Sequence, residues 1–494
     1  MQTHSKYKFI NWLRRRNQQR KRTLLLTGLI LTLLFLAKMS VAQERPQDRS
    51  LSAEQIMAIV KKFHPIARIA GINIEKAKAD ITIARGQFDP QLYSSNAQKT
   101  FDGTDYYNYN RPELNIPTWF GVNITTGLEY LSGSRTDPEQ TTGKTSYFGI
   151  SVPLAKNLLM DKRRAALQTA KIYRDASLVE QRAVLNDLLL EAMLVYWDWV
   201  NQYQQYQILS QAVSVNEQRL GLVRLAYRQG DRPAIDTTEA MTQLQQFQLM
   251  QTQAWLEFRN EGILLSAYLW NDKGEPVDLP EGILPADSPL QQDPGSMTLP
   301  ELNQLIETAR KNHPEILGYG FKLDALEIEK KLKFQELLPT VNFRYNQLGK
   351  GYDVLKTATG PLFENNYQYG LTLGLPLRLS QGRGEYRKAK LKLEETRIEQ
   401  SRKTVLVETK IRNLFNELGT LRDQSRIQSN ALENFLTLQR AEETRFRIGE
   451  SSLFLVNARE NKALEARQKL VDLKVKFMKS MVYLNWSTGQ LAEL

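Results

Sequence analysis

The sequence predicts an α+β protein built by internal duplication, in which long coiled-coil helices carry membrane-length β-strands inserted into each copy. Three observations predict it. His64-Pro65 and His313-Pro314 each close an amphipathic run, and 26 residues beyond each histidine a proline, Pro90 or Pro339, opens a stretch rich in aromatic and β-branched residues. After Pro153 and Pro376, proline-free sequence rich in Ala, Gln, Glu, Lys and Leu runs on to Gly230 and Gly449, 77 and 73 residues away. Within those runs Leu185, Leu189, Ala192, Tyr196, Trp199, Tyr203 and Tyr206, and again Val407, Ile411, Leu414, Leu418 and Leu421, step by four and three, the period of a coiled-coil seam.

The leader comes first. Of the 494 residues, Met1–Ala42 hold nine Lys/Arg and no acid, so the formal charge of +12 falls to 57 basic against 54 acidic residues in the remainder. The basic character therefore belongs to the leader and does not point to nucleic acid. Its positive start, the apolar run at 24–37 and the "SVA" before Gln43 fit a signal peptide cleaved after Ala42. Lys38 ends that run well short of the ~20 residues a spanning helix needs. No later stretch is long and apolar enough to cross a membrane, so a membrane location must rest on β-strands. The chain has no cysteine, which excludes disulfides, thiolate metal sites and cysteine nucleophiles.

A first repeat over 43–297 and a second over 298–494 account for the remainder. "SAEQ" at 52–55 and "TLPE" at 298–301 are capping boxes that open each copy. A pair of histidines invites an acid–base or metal-binding reading. The equal spacing assigns them instead to the duplication, and proline in the first turn of a helix makes each His-Pro the point where one helix ends and another begins. Strand candidates follow at 90–101, 118–131 and 146–154 in the first copy and at 339–348 and 366–377 in the second, about the ~9–11 residues that cross a bilayer when tilted. Pro90, Pro153, Pro339 and Pro376 bound these regions, and the first is longer by 26 residues, which predicts an added loop or hairpin. Segment 102–117 reads as an exposed connection that narrows or caps the outer mouth. Each long helix then reaches a glycine tip, at 228–233 and 447–452, and returns over about 234–270 and 452–486. Proline and glycine make 271–297 a loop belt.

This order of elements resembles the TolC-like outer-membrane efflux protein family across essentially the whole mature chain. The motifs that carry the resemblance are the His-Pro restarts, "FDP" (88–90) and "LLP" (337–339) at strand entry, "ISVPL" (150–154) and "LGLPL" (373–377) at strand exit, and the tips "RQGDRPAIDTTEA" (228–240) and "RIGESSLFLVNAR" (447–459). The resemblance implies a homotrimer in the Gram-negative outer membrane. Four strands per chain would build a trimeric 12-stranded β-barrel, and twelve helices a periplasmic α-helical tunnel. It implies passive conduction of substrates delivered by an inner-membrane pump through a periplasmic adaptor, a membrane fusion protein. It also implies adaptor docking at Arg228, Gly230, Asp231, Arg447, Gly449, Glu450 and Ser451. Family members often carry acids six and nine places after the second-copy glycine. Here those places hold Leu455 and Ala458, or Phe454 and Asn457 after a one-residue deletion, whereas the first copy holds Asp236 and Glu239. A tunnel-entrance constriction would then involve Asp236, Glu239 and Asn457.

Tyr93, Trp119, Phe120, Tyr130, Tyr147, Phe148, Tyr367 and Tyr369 are candidates for aromatic girdles against outer-membrane lipid. A periplasmic coiled-coil tether is the competing reading, and membrane-length strands count against it. An enzyme finds little support: "GRG" at 382–384 lacks the lysine of a P-loop and the rest of a dinucleotide fingerprint. No catalytic residue, cofactor site or metal site is expected.

Overall fold

The computed structural model describes residues 50–493 apart from 138–139, 281, 287–289 and 291–293. The predicted leader, and parts of the loop belt, lie outside the described residues. Contacts divide the chain into a small unit, residues 1–51 with 280–284, and a large unit holding the rest. In the small unit the described chain includes strand β1 (Ser50–Leu51).

The large unit begins with α1 (Ala53–Phe63) and α2 (Pro65–Gly86), then strands β2 (Gln91–Phe101), β3 (Thr104–Pro117), β4 (Asn123–Ser132) and β5 (Gly143–Pro153), then α3 (Lys162–Arg228) and α4 (Ala234–Ser266). After the short strand β6 (Leu284–Pro285) the second copy repeats the order: α5 (Leu302–Asn312), α6 (Pro314–Phe334), β7 (Thr340–Lys350), a short α7 (Val354–Ala358), β8 (Tyr367–Gly374), α8 (Ser380–Arg447) and α9 (Leu453–Ser487). At 67 and 68 residues α3 and α8 each run about 100 Å at ~1.5 Å per residue. No helix among the described residues is long and apolar enough to cross a membrane.

Local chemistry sets the joints. Ser52 and Gln55 cap each other at the head of α1, with Ser52 N–H to Gln55 Oε1 at 2.9 Å and Gln55 N–H to Ser52 Oγ at 3.3 Å. The second expected capping box does not form: Pro300 holds the chain before it extended and α5 starts at Leu302 with no side-chain cap. His64 ends α1 and caps α2, its Nδ1 accepting from Ile66 N–H at 3.2 Å, and His313 occupies the same position between α5 and α6. Both imidazoles are buried, and burial holds their pKa values below the usual histidine range. "GRG" lies in the first turns of α8 rather than in a turn, and a Cβ on Gly382 would stand 2.7 Å from the Glu336 carbonyl oxygen. That glycine allows close helix approach.

Both seams are core. Val407, Ile411, Leu414, Leu418 and Leu421 pack with Leu305, Ile306, Leu473 and Phe477. On α3 the buried surface is wider than one seam: Met193, Trp197 and Val200 join Leu189, Ala192, Tyr196, Trp199 and Tyr203, because α3 touches α1, α2, α4, α6 and α9.

The strands form one six-stranded antiparallel meander, β2-β3-β4-β5-β7-β8. This corrects two expectations. Among the described residues this sheet has six strands, where four were expected. Segment 102–117 is not a cap, because Asp102 and Gly103, at φ 51° and 68°, make a two-residue turn that sends Thr104–Pro117 back along β2. The 26-residue excess is therefore a hairpin, β3–β4, inserted between the strands that match β7 and β8. Residues 118–122 are a turn, closed by Thr118 N–H to the Val122 carbonyl at 2.9 Å, so β4 starts at Asn123 rather than Thr118.

Substituting the fully buried Leu418 by Ala should cost about 2–5 kcal/mol, whereas Leu438→Ala on the exposed side of the same helix should stay within about 0.5 kcal/mol. Denaturant unfolding of detergent-solubilised protein, followed by far-ultraviolet circular dichroism, reads the difference.

Candidate functional site

Two regions are candidates for function, the helical tips and the faces of the sheet. At the first tip α3 ends in a Schellman motif: Gly230 (φ 80°) donates to the Tyr227 carbonyl at 3.0 Å and Asp231 to the Ala226 carbonyl at 3.0 Å. The second tip repeats it with Gly449 (φ 83°) on Phe446 at 3.2 Å and Glu450 on Arg445 at 2.9 Å. The left-handed backbone explains why glycine recurs there. Arg228, Asp231, Arg447 and Glu450 are exposed around these turns, and Ser451 is half-buried, its Oγ donating to Glu442 Oε1 at 2.5 Å.

The tips are joined to each other. Arg232 donates to the Phe446 carbonyl at 2.6 Å and lies 4.0 Å above that ring. Asn457 Nδ2 donates to Glu239 Oε1 at 3.4 Å, and Asp236 pairs with Arg232 at 3.9 Å. The structure thus brings Asp236, Glu239 and Asn457 into one neighbourhood. Burial, and then the Asp236 carboxylate, raise the Glu239 pKa, while the Asn457 hydrogen bond opposes the shift.

Deeper in, a network escaped sequence reasoning. Arg219 on α3 holds Glu460 on α9 with two bonds, Nη1 to Oε2 at 2.6 Å and Nη2 to Oε1 at 3.2 Å, and reaches Glu443 on α8 at 3.4 Å. Asn216 also donates to Glu460 at 3.1 Å. Arg219 and Glu460 are almost wholly buried, so the pair ties the two copies together. The available signal was a glutamate at a seam position, four residues after Val456 and three before Ala463.

In the sheet, the strand register sorts side chains by face. Across the rungs that join Tyr93, Glu113, Gly127, Tyr147 and Leu348, and those that join Thr125, Gly149, Asn346 and Gln368, most residues are polar. The opposite face carries Leu114, Ile124, Phe148, Ile150 and Leu371. On the polar face Tyr147 Oη donates to Glu113 Oε2 at 2.6 Å and accepts from Arg111 Nε at 3.0 Å. Its ring crosses β4 at Gly127, where a Cβ would stand 2.7 Å from the phenol oxygen.

The expected girdle divides accordingly. Tyr130, Phe148, Tyr367 and Tyr369 lie on the apolar face, and Trp119 and Phe120 stack edge-on in the β3–β4 turn, both exposed. Tyr93 and Tyr147 are on the polar face. Register, which alternation alone leaves free by one residue, decides this. Pro90 and Pro339 directly precede β2 and β7, Pro153 ends β5, and Pro376 lies two residues beyond β8.

Residues 305–490 match the family described as outer membrane efflux protein. No curated protein matches the chain. Among solved structures, the Campylobacter jejuni CmeC outer membrane channel is 16% identical, with 89% of this chain and 85% of that chain covered and a TM-score of 0.58. The Vibrio cholerae outer membrane protein VceC is 13% identical, with 88% and 96% covered and a TM-score of 0.60. The open state of the Neisseria gonorrhoeae MtrE outer membrane channel is 13% identical, with 89% of each chain covered and a TM-score of 0.60.

Replacing Arg219 by Met should cost about 3–5 kcal/mol, because Glu460 is then buried without its partner, and Arg219→Met with Glu460→Leu should recover most of the loss. Thermal unfolding of the two variants checks it. Because its pKa is higher folded than unfolded, Glu239 stabilises the tip while protonated, and that contribution is lost as pH rises through the raised value. Glu239→Gln should therefore slow amide exchange at 232–240 at neutral pH and flatten its pH dependence just above the usual carboxylate range.

Residues 305–490 thus match the outer membrane efflux protein family, and over nearly nine tenths of its length the chain has the fold of the solved outer membrane channels.

Proposed function

We propose that this protein is the outer-membrane channel of a tripartite export system, passively conducting substrates that an inner-membrane pump delivers through a periplasmic adaptor. The observation that carries the reading is the sheet: one polar face, one apolar face, and two unpaired outer edges, β2 and β8, in a chain whose helices run about 100 Å away from it. A sheet in lipid must leave no edge unpaired, and six strands are too few to close around a channel, so copies must share the barrel. A homotrimer closes it and arranges α3 and α8 with their returning helices into a tunnel. The apolar face then meets outer-membrane lipid and the polar face lines the conduit.

The exposed tip residues Arg228, Gly230, Asp231, Arg447, Gly449 and Glu450, with Ser451, form the surface for the adaptor. The cluster of Asp236, Glu239 and Asn457 stands where a narrowing of the tunnel entrance would be controlled. The chemistry of both regions is recognition and gating rather than bond-making, and the substrate range would be set by the pump.

The mass of the detergent-extracted particle from outer-membrane fractions, by light scattering with the detergent subtracted, should equal three mature chains. A single-chain mass, or recovery in the soluble fraction, would instead leave the periplasmic tether.

A further inference from the structure

We infer that the shared barrel closes with eighteen strands, six from each of three copies, because the inserted β3–β4 hairpin is part of the wall. The inference rests on the trimeric reading above and adds to it the number of strands and the residues that build the insertion in. The meander has an even count, so β2 and β8 at its edges run in opposite directions, and β8 of one copy meets β2 of the next antiparallel, as every other pair in the sheet is.

Three observations place the hairpin in the wall. It is paired along its length on both sides, Tyr93 against Glu113 and Leu128 against Ser146, with one register shift, between Lys99 and Thr100 next to the β2–β3 turn. It also carries the same division of faces as the strands around it, with Leu114, Ile116, Ile124 and Leu128 on one side and Glu113, Asn115, Thr125 and Glu129 on the other. A hairpin standing away from the wall in water would have no use for an apolar stripe. The third is the cross-link on the polar face. Arg111 and Glu113 of β3 bond Tyr147 of β5, and β4 between them has glycine where the phenol passes. Removing the insertion would strand Tyr147, which is 3% exposed.

At equal tilt, barrel diameter grows roughly in proportion to strand number, so eighteen strands enclose a barrel about one and a half times as wide as twelve. The wider mouth suits bulky or extended export substrates. The Arg111–Glu113–Tyr147 cluster would stand on its inner wall as a fixed polar contact.

The absence of native cysteine makes disulfide trapping in oxidised outer membranes a clean test. Leu373→Cys in β8 with Leu92→Cys in β2, together with pairs one rung to either side, should link chains into covalent trimers. Leu128→Cys with Ser146→Cys should form a disulfide within the chain, as neighbours in the sheet. A disulfide between Leu92→Cys and Ile150→Cys would mean that β2 abuts β5 with the hairpin extruded, and links from Leu373→Cys to Ile124→Cys of another copy would mean that β2 and β3 lie outside the wall. Either result overturns the inference, as does a trimeric mass with no link between chains in any register. A single-chain mass for the cysteine-free protein would bring down the trimeric reading itself.

Discussion

On the proposed membrane location, everything in the sheet answers to one demand, that the backbone N–H and C=O groups of the outer strands β2 and β8 find partners in an environment without water. A strand edge in water can be left to solvent, but in lipid each unpaired group costs several kcal/mol. In that setting the demand would force closure, closure at this strand count would force assembly, and the even count would make the joining edges antiparallel. Away from the sheet, α3 packs along α4 and α9 while α8 packs along α9 and α6, so their seams need only coiled-coil packing.

The tips depend on a different balance. Long amphipathic helices tied only at one end would fray at the other, and two devices oppose this. Paired Schellman turns at Gly230 and Gly449 satisfy the last carbonyls of each helix, and the Arg219–Glu460 pair, backed by Asn216 and Glu443, links the two copies inside. A buried ion pair is weak evidence for net stability, but it punishes any arrangement that separates its partners. Together with Arg232 on the Phe446 carbonyl, it adds polar ties to the apolar cluster in which Leu453 and Phe446 pack against Val213, Leu220 and Val223.

Much of this was legible in the chain itself. The duplication, the His-Pro restarts, the two long helices, the glycine tips and the presence of membrane-length strands all follow from local rules: proline placement, the 3.6-residue period, alternation, and the backbone freedom of glycine. The candidate trio Asp236, Glu239 and Asn457 was found by offset from the tip glycines, and the fold brings it together. What escaped were features in which two readings of the same local pattern compete. The Asp-Gly at 102–103 signals a hairpin, but the tyrosine- and asparagine-rich sequence after it reads equally as a loop, and only pairing with β2 and β4 makes it a strand.

By itself, then, the sequence determined the kind and order of elements, because helix periodicity, turns and caps are decided within a few residues. Tertiary structure decided the register of the sheet, hence that Tyr93 and Tyr147 belong to the polar face, and that the 26-residue excess is a pair of strands within the sheet. It also decided that Glu460 finds its arginine 241 residues away. Alternation specifies two faces without saying which is which, and a charged seam residue demands a partner without naming it. Both questions are settled only when segments distant in sequence are brought within reach of one another.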